Sequence, residues 1–268
     1  MYYISFSFSN CFIIFIIICN EEKNIQRYIK DADYADEIII VDSFSTDQTI
    51  FIAEQFPQVK IVQRKFDNFT NQKNFAISLA SNEWITFFDA DEHIPVKLKQ
   101  EIIQIVNDSK ALDAYFVHRK FYFKEKLIRF SGMQSDKAIR LFKKSKAKYR
   151  KERLVHELID CKGEIGKLKT SLEHYSYSSK EEYQNKLTIY SRLRAKELSF
   201  KKLKPNFFHF LIKPLYRFFN HYVMRLGFLD GKEGLIISKL HAESVRKRYV
   251  FLNEIYEANA SVNINKNA

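Results

Sequence analysis

Cysteine is rare in this chain of 268 residues, which contains only three copies of it. Cys11, Cys19 and Cys161 form no Cys-x-x-Cys pair. An odd number of widely spaced thiols argues against a disulfide framework. The cysteine content therefore fits a reducing cytosol.

Glycine is also scarce, with six residues in total. The sequence contains neither the Gly-x-Gly-x-x-Gly pattern of dinucleotide-binding folds nor the Gly-x-x-x-x-Gly-Lys-Ser/Thr pattern of a Walker loop. Both patterns supply the turn that holds phosphate groups in their folds. We therefore expect neither a dinucleotide fold nor a phosphate loop of these types.

Near the start of the chain, the apolar run is too short for a membrane span. The run ending at Cys19 holds about nine apolar residues, whereas about twenty are needed to cross a bilayer. The residues before it lack the basic region and the small-residue cleavage site of a signal peptide. We interpret Phe12–Cys19 as a buried first strand, with a membrane anchor as the alternative.

Acidic residues are outnumbered, because 44 lysines and arginines face 32 aspartates and glutamates, for a net charge of +12. A hydrophobic content of 46% and an aromatic content of 15% exclude general disorder. The charge predicts an anionic partner, which could be nucleic acid, a nucleotide or acidic lipid.

The segment from Trp84 to Glu92 organises the rest of the prediction. Large apolar residues at 84–88 indicate a strand that is buried on both faces, and carboxylates follow it. Since side chains alternate along an extended chain, Asp89 and Asp91 point the same way. Two such carboxylates can hold Mg²⁺ or Mn²⁺, and that ion can hold a diphosphate. The alternative is an acidic turn before a helix that starts at Pro95.

Strands and helices alternate through the first 90 residues. Apolar runs predict strands at 12–19, 36–42, 59–63 and 84–88, and the segments between them predict helices. This alternation favours an α/β fold with a mostly parallel sheet. Ligands of such sheets bind beyond the carboxyl ends of the strands. Polar residues follow three of these strand ends: Asn20 with Glu21, Asp42, and Asp89 with Asp91.

These motifs together resemble the family 2 glycosyltransferases of the GT-A fold. The resemblance depends on Asn-Glu-Glu after the first strand, on residues 36–47 (DEIIIVDSFSTD) and on residues 87–92 (FFDADE). Within the family, residues 65–74 (KFDNFTNQKN) and 153–157 (RLVHE) resemble the lipopolysaccharide inner-core β-1,4-glucosyltransferase group. The resemblance implies a UDP-sugar donor, Mg²⁺ or Mn²⁺ as cofactor, and inversion at the anomeric carbon.

The resemblance also implies roles for the residues that would bind the donor nucleotide. Asp42 would accept a hydrogen bond from the uracil or the ribose, with a turn or helix cap as the alternative. Asn20 and Glu21 would lie at the nucleotide edge. Gln72 and Lys73 would lie beside the donor at the start of a helix, where a solvated lysine is the alternative for Lys73.

A second set of implied residues would hold the metal ion and the donor sugar. Asp89 would hold the ribose or the sugar and help to bind the metal, and Asp91 would be the direct metal ligand. His156 would complete the metal shell or contact phosphate. The general base would be Glu157, or secondly Asp136, for which an ion pair with Arg140 is a structural alternative.

One departure from the family pattern lies just before Asn20. Ile17-Ile18-Cys19 stands where the family usually has Pro-Thr-Tyr or a similar group, so polar or stacking contacts to the nucleotide are missing. A competing hypothesis is therefore a non-catalytic, basic protein on a degenerate transferase fold, which would bind anionic membrane or RNA. The acids at the strand edge argue against it, because a binder of polyanions gains nothing from them.

We divide the chain into a catalytic GT-A domain (1–170) and a C-terminal helical region (171–268). Residues 180–200 have helical periodicity, and 206–219 mix aromatic with basic residues. We expect the latter to form an interfacial helix on anionic lipid, with packing on the α/β core as the alternative.

The function we expect is transfer of a hexose, with UDP-glucose as the expected donor, to a lipopolysaccharide or lipooligosaccharide core or a related glycolipid. A polyprenyl-linked or protein acceptor is the alternative within the family. We expect the enzyme in the cytoplasm, peripheral to the inner membrane, and we do not expect nucleic acid as its partner.

Overall fold

The structure is a computed structural model, which describes residues 12–150 and 159–266, apart from the side chains of Gln134 and residues 260–266. The chain forms two compact units. The first contains the described residues up to Arg119 and those from Lys137 to His174. The second contains 120–136 and the residues from Tyr175 onward. It therefore includes a hairpin that the division at residue 170 assigns to the catalytic domain.

The described residues form twelve strands and seven α-helices, joined by shorter helical turns. The strands are β1 (Phe12–Ile18), β2 (Glu37–Asp42), β3 (Val59–Gln63), β4 (Trp84–Phe87), β5 (Glu92–His93), β6 (Ala114–Phe123), β7 (Lys126–Ile128), β8 (Lys137–Lys143), β9 (Ala147–Tyr149), β10 (Ile159–Cys161), β11 (Ile165–Lys167) and β12 (Leu172–Tyr177). The helices are α1 (Ile25–Asp31), α2 (Thr49–Ala53), α3 (Phe69–Leu79), α4 (Val96–Val106), α5 (Lys180–Phe200), α6 (Lys213–Phe219) and α7 (Lys232–Lys266).

Four parallel strands in the order β3-β2-β1-β4 form one half of the main sheet. In the middle of this half, Phe15 of β1 is in register with Ile39 of β2 and Phe87 of β4. All three side chains are almost fully buried, because apolar clusters cover both faces of the sheet. Apolar runs without alternation therefore mark strands that are buried on two sides, as predicted.

The other half of the main sheet is mostly antiparallel, although β11 pairs parallel with β6. Strand β8 pairs antiparallel with both β4 and β6, and β12 and β5 follow in the strand order. The sheet is thus mixed, and helices flank its parallel half. The predicted α/β fold class is confirmed.

Polar side chains cap two of the helices at their first turns. The side chain of Asn68 accepts a hydrogen bond from the Asn71 amide, at 2.9 Å, at the start of α3. Ser179 accepts one from the Glu182 amide, at 3.0 Å, at the start of α5. Such caps satisfy amide groups that lack partners within the helix, and they fix where each helix begins.

The second unit is built around the long helices α5 and α7. One apolar cluster joins Tyr183 of α5 to Phe123 of the β6–β7 hairpin and to Ile237 of α7. Buried Asp230, just before α7, accepts hydrogen bonds from the Arg129 and Phe130 amides at 2.9 and 3.1 Å. This carboxylate therefore connects the residues after the hairpin to the start of α7.

A helical stretch of three segments precedes Asp230. It comprises a π-helix at Phe208–Ile212, then α6, then a second π-helix at Asn220–Met224. Among the helices that the structure describes, none combines the length and the apolar character needed to cross a membrane.

Candidate functional site

The loops that follow β1 and β2 are joined by hydrogen bonds at the carboxyl edge of the sheet. Asn20 donates its amide to the Ser45 hydroxyl at 2.8 Å and accepts from the Thr46 amide at 2.8 Å. The Glu21 amide donates to the Thr49 hydroxyl, also at 2.8 Å. The polar residues after these neighbouring strands therefore meet at one edge, as the parallel order requires.

Asp42 ends β2 with a fully buried side chain. Its carboxylate accepts hydrogen bonds from the Ser45 hydroxyl at 2.5 Å, from the Ser45 amide at 3.1 Å and from the Gln63 side chain at 3.1 Å. The residue thus closes the turn after β2. Its predicted contact with a nucleoside stays a prediction.

Gln72 is buried in α3, and its side chain bonds to the turn after β2 that Asp42 closes. Its side-chain nitrogen donates to the Ser43 hydroxyl at 3.1 Å and to the Arg64 carbonyl at 3.0 Å. Its side-chain oxygen accepts from the Arg64 guanidinium. The amide group therefore binds protein atoms at both ends, and its predicted place beside the donor stays a prediction.

Lys73, the next residue of α3, is only 9% exposed and sits among aromatic rings. Its ammonium group lies 4.7 Å from the centre of the Phe87 ring and 5.1 Å from that of Tyr149. The aromatic faces attract this cation and hold it inside the unit. The solvated lysine that the sequence offered as an alternative is not observed.

Two arginines from antiparallel strands hold Asp89 and Glu92. Arg140 of β8 binds the Asp89 carboxylate and also Glu92, the latter at 2.5 Å. Arg119 of β6 lies 3.3 Å from Glu92 and 4.0 Å from Asp89. Glu92 in turn accepts a hydrogen bond from the Asp89 amide at 2.9 Å. Two acids and two arginines therefore form one ion cluster behind the acidic loop.

The charges of this cluster set the ionisation of its acids. Burial on its own raises the pKa of the Asp89 carboxyl, but the positive charges of Arg140, Lys73 and Arg119 outweigh it. The net result is an Asp89 pKa well below its usual range. Burial raises the pKa of Glu92, and the Asp89 charge adds to this effect. Asp89 is therefore an ionised acid that is bound by arginine.

Arg27 of α1 holds the backbone of the same acidic loop. Its guanidinium donates to the Ala90 carbonyl at 2.5 Å and to the Glu92 carbonyl at 3.1 Å. It also pairs with Asp31, one turn further along α1, at 3.2 Å. The loop thus keeps one conformation because its carbonyls are bonded to the neighbouring helix.

Asp91 lies at the outer part of the loop and faces His174 of β12. Its Oδ2 atom is 3.2 Å from the His174 Nε2 atom. The two side chains are 30% and 15% exposed. The two atoms are within hydrogen-bond distance, and a carboxylate oxygen and an imidazole nitrogen are both groups that can ligate a divalent cation.

The residues that could hold the divalent cation implied by the family resemblance are Asp91, His174 and Asp89. Within residues 12–150 and 159–266, no group of three or more acidic, histidine or cysteine side chains is placed to hold a metal. Mg²⁺ is usually held by one or two carboxylates, water and substrate phosphates, so two protein donors suffice. Asp91 and His174 fit such a site. Asp89 fits it less well, because Arg140 already binds its carboxylate.

Three further residues are predicted for the site from the sequence: His156, Glu157 and Asp136. Glu157 and His156 lie outside the described residues. Asp136 belongs to the second unit, at the end of a 3₁₀ turn. The predicted alternative of an Asp136–Arg140 ion pair would need an arginine that binds Asp89 and Glu92 in the structure.

Sequence reasoning missed four residues of the site: Arg27, Arg119, Arg140 and His174. The arginines lie in ordinary amphipathic segments, and nothing in their spacing to Asp89 indicates a contact. His174 has a weak signal, since Leu172, His174 and Ser176 alternate with Glu173 and Tyr175 as in a strand. Which strand pairs with this one cannot be deduced from that pattern.

A mixed α/β sheet with acids beyond its parallel strands is the architecture of the nucleotide-diphospho-sugar transferases of the GT-A type. The chain belongs to glycosyl transferase family 2, whose model matches residues 13–169, more than half of the sequence.

Two relatives of similar sequence are glycosyltransferases. An uncharacterised glycosyltransferase of Rickettsia felis is 31% identical over 244 residues, which cover 85% of this chain and 84% of the relative. The lipopolysaccharide core biosynthesis glycosyltransferase LpsC of Rhizobium meliloti is 26% identical over 88% of this chain and 92% of its own. The solved structure of residues 1–349 of S. aureus TarS has a TM-score of 0.47 at 15% identity, and the match covers 92% of each chain.

Proposed function

We propose that the protein is an inverting, metal-dependent hexosyltransferase that uses a UDP-sugar donor. The observation that carries the proposal is the Asp91–His174 pair at the edge of a family 2 sheet, where its atoms lie 3.2 Å apart. The two arginines of the adjacent ion cluster suit a donor that carries a diphosphate. The runner-up within the family differs only in the acceptor, which would be a polyprenyl-linked sugar or a protein.

The proposed substrates are UDP-glucose and a lipopolysaccharide or lipooligosaccharide core, or a related glycolipid. The similarity to LpsC over nearly the whole of both chains supports an acceptor of this class. The proposed place of action is the cytoplasmic face of the inner membrane, where the protein would act as a peripheral enzyme. The identity of the hexose as glucose depends on the family resemblance.

In the proposed mechanism, Asp91 and His174 would hold the cation. When bound, such an ion neutralises the negative charge that develops on a departing nucleoside diphosphate. The chain itself supplies fixed positive charge through Arg119 and Lys73, which lie around Asp89. Charges that are held in place before the reaction stabilise a transition state without reorganisation. Asp89, which the neighbouring positive charges keep ionised, would accept hydrogen bonds from sugar hydroxyls.

The proposed general base is Glu157, with Asp136 as the second choice. A carboxylate in this role takes the proton of the acceptor hydroxyl as its oxygen attacks the anomeric carbon. Replacing Glu157 by Gln should lower turnover by about 10²–10⁴-fold and leave donor binding intact. Undiminished turnover would move the role to Asp136, for which Asp136→Asn is the matching test.

Calorimetry with UDP and UDP-glucose, each with and without Mn²⁺, tests the proposal. Binding that requires the cation is the expected result. A competing non-catalytic binder of anionic membrane or RNA would bind polyanions without this requirement, and the absence of metal-dependent nucleotide binding would refute the transferase mechanism. Hydrolysis of a panel of sugar nucleotides then identifies the donor.

A further inference from the structure

Residues 207–229 of the second unit expose an unusual amount of apolar surface. Twelve large apolar side chains in this segment are each more than 40% exposed, including Phe208 at 50%, Leu215 at 57% and Phe219 at 48%. We call this set the apolar face. Single exposed apolar residues are common on proteins, but a continuous set of this size indicates an interaction site.

Most of the apolar face lies on one side of the helical stretch 208–224. Exposed positions 208, 212, 215, 219 and 223 recur at intervals of three or four residues, so they lie along one stripe. The opposite side is bound within the unit. Lys213 lies 3.1 Å from the Tyr249 hydroxyl, and buried His221 bonds to the Ser131 carbonyl at 2.8 Å. The stretch therefore has one packed side and one side that faces outward.

The charged residues within the segment 201–229 are all positive. From residue 201 to residue 229 there are six lysines and arginines and no aspartate or glutamate. Lys201, Lys202 and Lys204 are exposed just before the stretch, and Arg225 is exposed near its end. This arrangement complements an anionic surface.

We propose that the apolar face docks on an anionic phospholipid bilayer. Its aromatic and aliphatic side chains enter the headgroup boundary, and the basic residues at its ends contact lipid phosphates. A second copy of the chain fits the surface less well, because it would bring like charges together. That this contact brings the enzyme to a glycolipid acceptor rests on the proposed function. The contact with lipid rests on the exposed apolar face alone.

Flotation with vesicles tests the proposal. One set contains phosphatidylcholine alone, and the other contains equal amounts of phosphatidylcholine and phosphatidylglycerol. The wild-type protein should float with the anionic vesicles and much less with the neutral ones. Replacing Phe208, Leu215 and Phe219 together by Ser should lower vesicle binding at least about tenfold, because each substitution removes apolar groups that enter the bilayer. Since all three side chains are exposed, the thermal midpoint of the variant should stay close to that of the wild type.

A matched control removes the same kind of surface elsewhere. Phe51, Val96 and Ile165 are 64%, 67% and 45% exposed and lie in the first unit. Their combined replacement by Ser should leave flotation unchanged. Replacing Lys201, Lys202 and Lys204 by Gln should instead remove most of the preference for anionic vesicles and its sensitivity to salt.

A tryptophan at the face reports its environment directly. The single native tryptophan, Trp84, is buried in the first unit and supplies a constant background. In a Phe219→Trp variant, anionic vesicles should shift the added emission to shorter wavelength.

Wild-type protein that stays unbound at low salt would overturn the proposal, as would equal binding by the triple Ser variant. A dimer that the triple variant dissociates, without vesicle binding, would assign the face to a second copy. Calorimetry of UDP without vesicles tests the transferase separately.

Discussion

Asp91 and His174 face each other across the edge of the sheet, with Oδ2 and Nε2 3.2 Å apart. Strand pairing explains this contact, because His174 is in register with Glu92, the residue after Asp91. The pair is the part of the site that best suits a cation, and it predicts how nucleotide binding should respond to substitution.

Replacing His174 by Ala, or Asp91 by Asn, should weaken Mn²⁺-dependent UDP binding by at least about tenfold, because each change removes one of two protein donors. Calorimetry with Mn²⁺ and then with EDTA measures the difference. Glu173→Gln is the matched control, since this residue is adjacent on β12 and its side chain points to the other face. Equal affinity in the His174 variant and the control would remove His174 from the metal site.

Replacing Arg140 by Met should lower the free energy of unfolding by about 3 kcal/mol, because Glu92 is left buried without its closest partner. The midpoint of urea unfolding measures this loss. Adding Glu92→Gln should recover part of it, since the uncompensated charge is then gone. The free energy of unfolding of Arg140→Lys should lie between those of the wild type and Arg140→Met, because an ammonium group cannot bind both acids as the guanidinium fork does. If Arg140→Met and the double variant have the same urea midpoint, the charge of Glu92 is not the cause of the loss.

Stability should fall as the pH falls below about 6.5 because of two stacked histidines, His221 and His241, whose ring centres lie 4.3 Å apart. Burial lowers the pKa of His221 to about 4 and that of His241 to about 3, and Arg217 adds to both effects. His221 lies between the Ser131 carbonyl and Arg217, which suits its neutral form.

The sign of this pH effect follows from the lowered pKa values. Between the unfolded pKa of 6.5 and the folded values, only the unfolded chain binds the protons. The stabilisation is therefore present above pH 6.5 and is lost below it, by up to about 1.4 kcal/mol per pH unit for each histidine. Urea midpoints from pH 7 to 4 measure the slope. His221→Gln should flatten it, and a slope equal to that of the wild type would contradict the assignment.

Phe44→Gly should leave stability unchanged or raise it by up to about 1 kcal/mol. Phe44 has a φ of 62° in the turn after β2, where a side chain costs about 1–2 kcal/mol, and its ring is 54% exposed. Glycine removes that cost but loosens the unfolded chain by about 0.5–1 kcal/mol. Phe51→Gly, at a 64% exposed site in α2, should instead destabilise. Thermal midpoints compare the two, and a larger loss at Phe44 than at Phe51 would show that the ring supports the turn.

The elements that sequence predicted best are those whose signal is local. The strand Val59–Gln63 and the helix Lys180–Phe200 have the predicted bounds, because apolar runs, helical periodicity and the cap at Ser179 act over a few residues. Placing polar residues at one sheet edge also succeeded, since parallel strands of a buried sheet end together.

The partners of the acids could not be predicted in the same way. Arg140 reaches Asp89 across 51 positions and His174 reaches Asp91 across 83. Those contacts depend on antiparallel pairing and on a register shift between Tyr115 and Phe116 of β6. No spacing in the chain encodes that register. Asp42 and Gln72 show the same limit in part, because Gln63 reaches Asp42 from β3 and Gln72 reaches Ser43 across 29 positions.

The bonds from Arg27 to the carbonyls of Ala90 and Glu92 bear on the thermodynamics of ligand binding. A loop held in this way has already given up its conformational entropy when the chain folds. A ligand that contacts residues 89–92 meets a preorganised backbone, so little of its affinity is spent on ordering that loop.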